Sequence, residues 1–152
     1  MNKEQLIEQL NARIQNIEIT EAKQILEIST APNHLFNIVN TLKTDAAFSF
    51  DYLFNLMGVD VDDKLGVYYY FESTAHNHQL LVKCFGISRD KAALPSLVSL
   101  YPGVELLERE VFEFYGINFE GHPDLRNLFL PDDWDGFPMR KDYYDPINIV
   151  ER

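Results

Sequence analysis

Apolar residues in the first 15 positions recur at Leu6, Ile7, Leu10 and Ile14, with charged and amide side chains between them. That spacing follows the 3.6-residue helical turn and predicts an amphipathic helix with one buried face. Residues 17–20 and 24–29 alternate instead, predicting two short strands with one wet face each and Glu21 and Ala22 at their turn. Thr30 then reads as a helix cap and Pro32 as a first-turn residue. Leu35, Ile38, Val39 and Leu42 mark the buried face of this second helix, which should end near Asp45.

Three more strands follow at 48–59, 67–71 and 80–87, the first closed by Gly58 and followed by the turn-like D-V-D-D-K-L-G. The short link A-H-N-H predicts an antiparallel hairpin for the last two. From residue 88 the pattern turns helical again, broken at Pro95 and at Pro102-Gly103. A clearer helix comes next. Leu107, Val111, Phe114 and Tyr115 share one face, while Glu105, Arg109 and Glu113 stand at i,i+4 spacing suited to ion pairs, and Gly116 is placed as the C-terminal cap.

These elements imply an α+β fold over residues 1–120, a two-layer domain whose mixed or antiparallel sheet is covered on one face by helices. Beyond Gly121 no periodicity survives, and four of the seven prolines (Pro123, Pro131, Pro138 and Pro146) fall there. Residues 121–152 therefore read as an extended, irregular C-terminal tail. Phe129, Trp134, Phe137, Tyr143 and Tyr144 make it too aromatic for a solvated linker, so it needs a surface to lie on.

Composition narrows the function classes. The formal net charge of −11 argues against a phosphate-backbone binder and an anionic lipid surface, and points to protein partners. With Cys84 the single cysteine, the chain supplies neither an internal disulfide nor the four thiolates of a usual iron–sulfur cluster. No signal-peptide core and no apolar run of membrane-spanning length is visible, so membrane association should be peripheral.

Several motifs invite chemistry and fall short of it. His76 and His78 form an H-x-H pair without a third ligand and read as turn residues. Cys84 lies mid-strand and reads as a small core residue. The spacing between Gly116 and Gly121 lacks the lysine and hydroxyl residue of a phosphate loop, and no G-x-G-x-x-G follows a strand. His122, with Asp124 two residues on, reads as a structural corner, since a triad's partners rarely lie so close in sequence. The charged cluster at Glu108, Arg109, Glu110 and Glu113 could pair carboxylates for acid–base work and reads as a solvated or partner-facing helix face.

Five blocks occur in order: E-R-E-V at 108–111, Y-G-I at 115–117, F-E-G-H-P-D-L-R at 119–126, W-x-G at 134–136 and R-K-D-Y at 140–143. In these the chain resembles the 30 kDa (C) subunit of respiratory complex I. The resemblance implies a cofactor-free, non-catalytic peripheral-arm subunit of a bacterial NADH:quinone oxidoreductase, on the cytoplasmic side of the inner membrane. FMN and iron–sulfur clusters would belong to partner subunits. The tail would lie along the 49 kDa-type (D) subunit that helps form the quinone site. Expected partner-binding residues are Glu108, Arg109 and Glu110 on the helix, His122, Asp124 and Arg126 in the corner, and Trp134, Arg140, Lys141 and Tyr143 in the tail. The equivalent subunit of a membrane-bound hydrogenase or formate hydrogenlyase is the alternative.

Overall fold

The computed structural model describes residues 1–22 and 24–148, so Lys23 and positions 149–152 of the expected tail lie outside the described residues. Helix α1 (Lys3–Arg13) opens with a reciprocal cap. The Asn2 side chain accepts from the Gln5 amide at 2.8 Å, and the Gln5 side chain accepts from the Asn2 amide at 2.9 Å. Leu6, Leu10 and Ile14 are its buried contribution, as the spacing requires.

Strands β1 (Glu18–Glu21) and β2 (Leu26–Thr30) pair antiparallel. Thr30 does not cap a helix: its hydroxyl donates to the Asn16 carbonyl at 3.2 Å, and a single 3-10 turn (Pro32–His34) leads into α2 (Leu35–Thr44). Leu35, Ile38, Val39 and Leu42 are buried along α2. Phe48 and Phe50, expected within the next strand, are buried in the turn before it, where the Phe50 amide donates to the Leu42 carbonyl. The strand itself, β3, runs Tyr52–Val61. Strands β4 (Lys64–Ser73) and β5 (His78–Ser88) form the expected hairpin.

The five-stranded sheet has the order β1-β2-β5-β4-β3, antiparallel except for the β2–β5 pair, and so is mixed. Because side chains alternate across a strand, Val67, Tyr69 and Phe71 enter the core with Leu80, Val82, Cys84 and the helix residues, while Tyr68 and Tyr70 point to the other face. Among the described residues no helix is long and apolar enough to cross a membrane.

The helical pattern expected after residue 88 gives way to β6 (Ala93–Pro95), which pairs parallel with β7 (Asn118–Glu120). The reason is where the backbone donors go. The Ser96 amide donates to the Glu120 carbonyl and the Leu97 amide to the Glu108 carboxylate, so neither is left for a helical i−4 partner. Helix α3 (Glu105–Tyr115) follows and ends at Gly116, whose φ of 71° is the left-handed cap conformation. At Gly58 of β3 a Cβ would lie 2.4 Å from the Tyr115 ring, so glycine there lets the end of α3 seat against the edge of the sheet.

Candidate functional site

Two of the three charged residues expected to pair along α3, Arg109 and Glu113, instead serve the backbone of the chain's last third. Arg109, only 6% exposed, donates from Nε to the Arg126 carbonyl (3.1 Å) and from Nη2 to the Asn127 carbonyl (3.0 Å). One helical turn on, Glu113 is 2% exposed and its carboxylate accepts the amides of Leu128, Phe129 and Leu130, each at 3.0 Å. An irregular segment has no ladder to satisfy its peptide groups. A guanidinium that takes two carbonyls and a carboxylate that takes the next three amides supply one.

Glu108 anchors the opposite flank. It is fully buried, and its carboxylate accepts from the Ser96 hydroxyl at 2.6 Å and from the Leu97 amide at 2.7 Å. Burial pushes its carboxyl above the ordinary range, while those two bonds and the nearby His122 ring pull the other way. His122 lies with Nε2 4.0 Å from that carboxylate, its side chain fully buried. Nδ1 accepts the Asp124 amide at 3.0 Å, which leaves Nε2 to donate to the Glu105 carbonyl at 2.9 Å. His122 is thus the structural corner that its sequence context suggested.

A second latch lies further along. The Phe137 ring covers Gly116, and Arg140 sits over that ring at 4.8 Å. Arg140 donates to the carbonyls of Tyr115 (2.6 Å) and Arg89 (3.1 Å), and the Met139 amide donates to the Phe114 carbonyl. The Lys141 amide donates to Asp60, which also pairs with Arg89. Burial works against the Asp60 charge, but the Lys141 amide and the Arg89 guanidinium together hold its carboxyl below the usual carboxylate range.

The ten residues expected at a partner surface therefore divide. Glu108, Arg109 and the His122 ring are buried and bonded within the chain, and Arg140 is half-buried and bonded to two internal carbonyls. Glu110, Asp124, Arg126, Trp134 and Lys141 are exposed, with Arg126 paired to Asp124 at 3.0 Å. Tyr143 is half-buried, its ring against Gly136. Glu113, Asp60 and Arg89 do central work in the strap and were not singled out for it. The i,i+4 spacing of Glu113 suggests an ion pair, and three backbone amides take that place. Asp60 gives no signal in the sequence, because its partner Lys141 lies 81 positions away.

Cys84 is fully buried and its thiol is pushed up to about 12 by burial. His76 and His78 stack with ring centroids 6.3 Å apart, and His76 Nε2 lies 3.1 Å from the Ala46 carbonyl. Among the described residues no three His, Cys, Asp or Glu side chains converge in a way that could hold a metal ion.

Fold and strap together define a class: an α+β module that uses the charges of one helix to lay its own irregular C-terminal segment against the domain. Comparison with known proteins makes the class specific. The family model described as the respiratory-chain NADH dehydrogenase, 30 Kd subunit, matches residues 28–146, and the chain belongs to that family. It is 46% identical over 104 residues to the C subunit of the NADH-quinone oxidoreductase of Chloroherpeton thalassium, covering 67% of this chain and 43% of that protein. It is 46% identical over 99 residues to the C/D subunit of the NADH-quinone oxidoreductase of Phocaeicola vulgatus, covering 64% of this chain and 19% of that one. The corresponding C subunit of Roseiflexus castenholzii is 35% identical over 126 residues, with 81% and 72% covered. The chain thus spans less than half the length of the first two relatives.

Two solved structures share the fold. One is described as "Nqo5 of the trypsin-resistant fragment (1-134)", with a TM-score of 0.69, 24% identity, and 82% of this chain and all of that chain covered. The other comes from a "membrane-bound sulfane sulfur reductase (MBS), an archaeal respiratory membrane complex", with a TM-score of 0.80, 23% identity, and 95% and 86% covered.

Proposed function

We propose that the chain is a peripheral-arm subunit of a bacterial proton-translocating NADH:quinone oxidoreductase, docked on the 49 kDa-type (D) subunit on the cytoplasmic side of the inner membrane. It performs no catalytic step and holds no redox cofactor; FMN and the iron–sulfur clusters belong to its partners. The match of residues 28–146 to the 30 Kd subunit family carries the reading. Three observations support the finer parts. The Phocaeicola vulgatus relative bears both the C and the D designations in one protein, which favours the D-type subunit as neighbour. The single cysteine, buried mid-strand, falls short of a cluster's thiolate set. Of the charged residues of α3 that would suit acid–base work, Glu108, Arg109 and Glu113 are held by internal hydrogen bonds.

The test is mild-detergent purification through a tag on this chain, from native membranes, with mass spectrometry of what accompanies it. An NADH-binding flavoprotein and a D-type subunit are the expected companions. The membrane-bound reductase with the same fold shows why partners must decide, since the fold alone does not name the assembly. A nickel-bearing large subunit without the flavoprotein would replace this reading with the hydrogenase one. Iron, zinc or flavin bound stoichiometrically to the isolated chain would overturn the cofactor-free part.

A further inference from the structure

Clasping the last third against α3 builds a surface that neither the sequence blocks nor the family match assigns. Phe129 is 69% exposed yet stacks on Phe114 at 6.3 Å between centroids. Phe114 borders a groove of about 180 Å³ between α3 and β3, with Met57, Tyr115 and Met139 among its other walls. Met57 and Met139 are 42% and 56% exposed. From Met57 the apolar band continues over β3 and β4: the Tyr70 hydroxyl contacts the Met57 sulfur at 3.8 Å, and the Tyr70, Phe54 and Tyr52 rings follow in sequence, 6.0 Å apart. Single exposed apolar residues are ordinary on a protein surface, but a connected band of this kind marks a contact surface.

One charged side chain lines the groove, and it is Glu110. It is exposed and has no ion pair among the described residues. Burial raises the pKa of the neighbouring Tyr115 hydroxyl, and the charges of Asp60 and then Glu110 add to it. Methionine walls adapt to varied apolar shapes, whereas a lone carboxylate at the rim selects a cation. The net charge of −11 attracts a basic partner at longer range.

We propose that the α3–β3 groove receives a segment of another subunit that inserts an apolar side chain between Met57 and Met139 and sets an arginine or lysine on Glu110. The proposal rests on the assembly reading above and adds the surface and the chemistry of its partner. It also divides the labour on α3. Arg109 and Glu113 hold residues 126–130, the Met139 wall is fixed by its own amide on the Phe114 carbonyl and by Arg140 beside it, and Glu110 is the charged residue of α3 that faces the occupant.

The experiment uses the full chain expressed in its own host. Glu110→Lys and Met57→Glu change exposed side chains, and each should lower recovery of the assembled complex at least tenfold while the free chain keeps its unfolding temperature. A photo-crosslinking residue at position 57 should join this chain to another subunit at an apolar segment that carries a basic residue. Wild-type recovery of both variants overturns the proposal, as does a crosslink only to a second copy of this chain or no crosslink at all. Should Met57→Glu fail to fold, Glu110→Lys and the crosslink decide. If the assembly retrieved with the wild-type chain lacks NADH-oxidising subunits, the proposed function fails, and the crosslink still judges the groove within whatever assembly is retrieved.

Discussion

Replacing Glu113 by glutamine keeps the size of the side chain and removes one acceptor oxygen and the charge. In the native strap its two oxygens meet three consecutive amides, at 3.0 Å to Leu128, 3.0 Å and 3.1 Å to Phe129 and 3.0 Å to Leu130. A hydrogen bond to a charged group contributes about 1.5–3 kcal/mol, and a neutral one about half of that. Glutamine keeps one oxygen and turns an NH2 group toward donors that cannot accept from it. At least one amide then loses its partner, and the strap loses roughly 2–4 kcal/mol of attachment. The loss falls on local opening more than on the core, because Leu6, Leu35, Phe71 and Val82 are untouched by it. Hydrogen exchange of the free chain is the assay: a loss of about 2 kcal/mol speeds exchange of the amides at 128–130 about thirtyfold. Amides within β4 and β5 should exchange as before. If 128–130 exchange equally fast in wild type and Glu113→Gln, the carboxylate is not what holds the segment and the reasoning fails.

Arg140→Ala should speed exchange of the Met139 and Lys141 amides, because it frees the carbonyls of Tyr115 and Arg89 and uncovers Phe137. Trp134→Ala, on a side chain 42% exposed, should leave exchange of the free chain unchanged and lower only its recovery in the complex. Glu108 has its carboxyl raised, so the folded state takes up a proton more readily than the unfolded one. Its contribution is therefore fully present below the unfolded pKa and lost as pH rises through the folded one. The unfolding temperature of wild type relative to Glu108→Gln should rise between pH 7 and pH 5, and a gap that moves the other way refutes the assignment. Asp60 has its carboxyl lowered, so its contribution is present above the unfolded pKa and lost as pH falls through the folded one. Asp60→Asn should unfold at lower temperature than wild type at pH 7, with the gap closing below pH 4.

Periodicity reports which face of an element is buried, and it did so for α1, α2 and the β4–β5 hairpin, where Leu10, Val39, Tyr69 and Val82 all enter the core. It failed at residues 88–101, where Leu94, Leu97 and Val98 are spaced as on a helix. There the deciding fact is remote: the Leu97 amide is taken by a carboxylate 11 positions on, and β6 is paired by a strand that comes after α3. The window over residues 88–101 contains neither Glu108 nor β7. The Thr30 cap failed in the same way, because its hydroxyl is taken by the Asn16 carbonyl, 14 positions back.

The expected boundary near residue 120 turns on the same accounting. Prolines and the loss of period correctly mark where regular structure ends, since β7 closes at Glu120 and no helix or strand follows among the described residues. Loss of regular structure does not relieve peptide groups of their need for partners. Arg109, Glu113, Asp60 and Arg140 meet that need across the boundary, through bonds spanning 15 to 81 positions. A glutamate on an amphipathic helix looks the same in sequence whether it faces water or three amides. Glu110 and Glu113, three residues apart on α3, show both outcomes: the first is exposed at a groove that can receive a partner, and the second is buried under the amides of residues 128–130. Assembly chemistry in this chain therefore begins where internal hydrogen bonding stops, at the side chains the strap leaves facing outward.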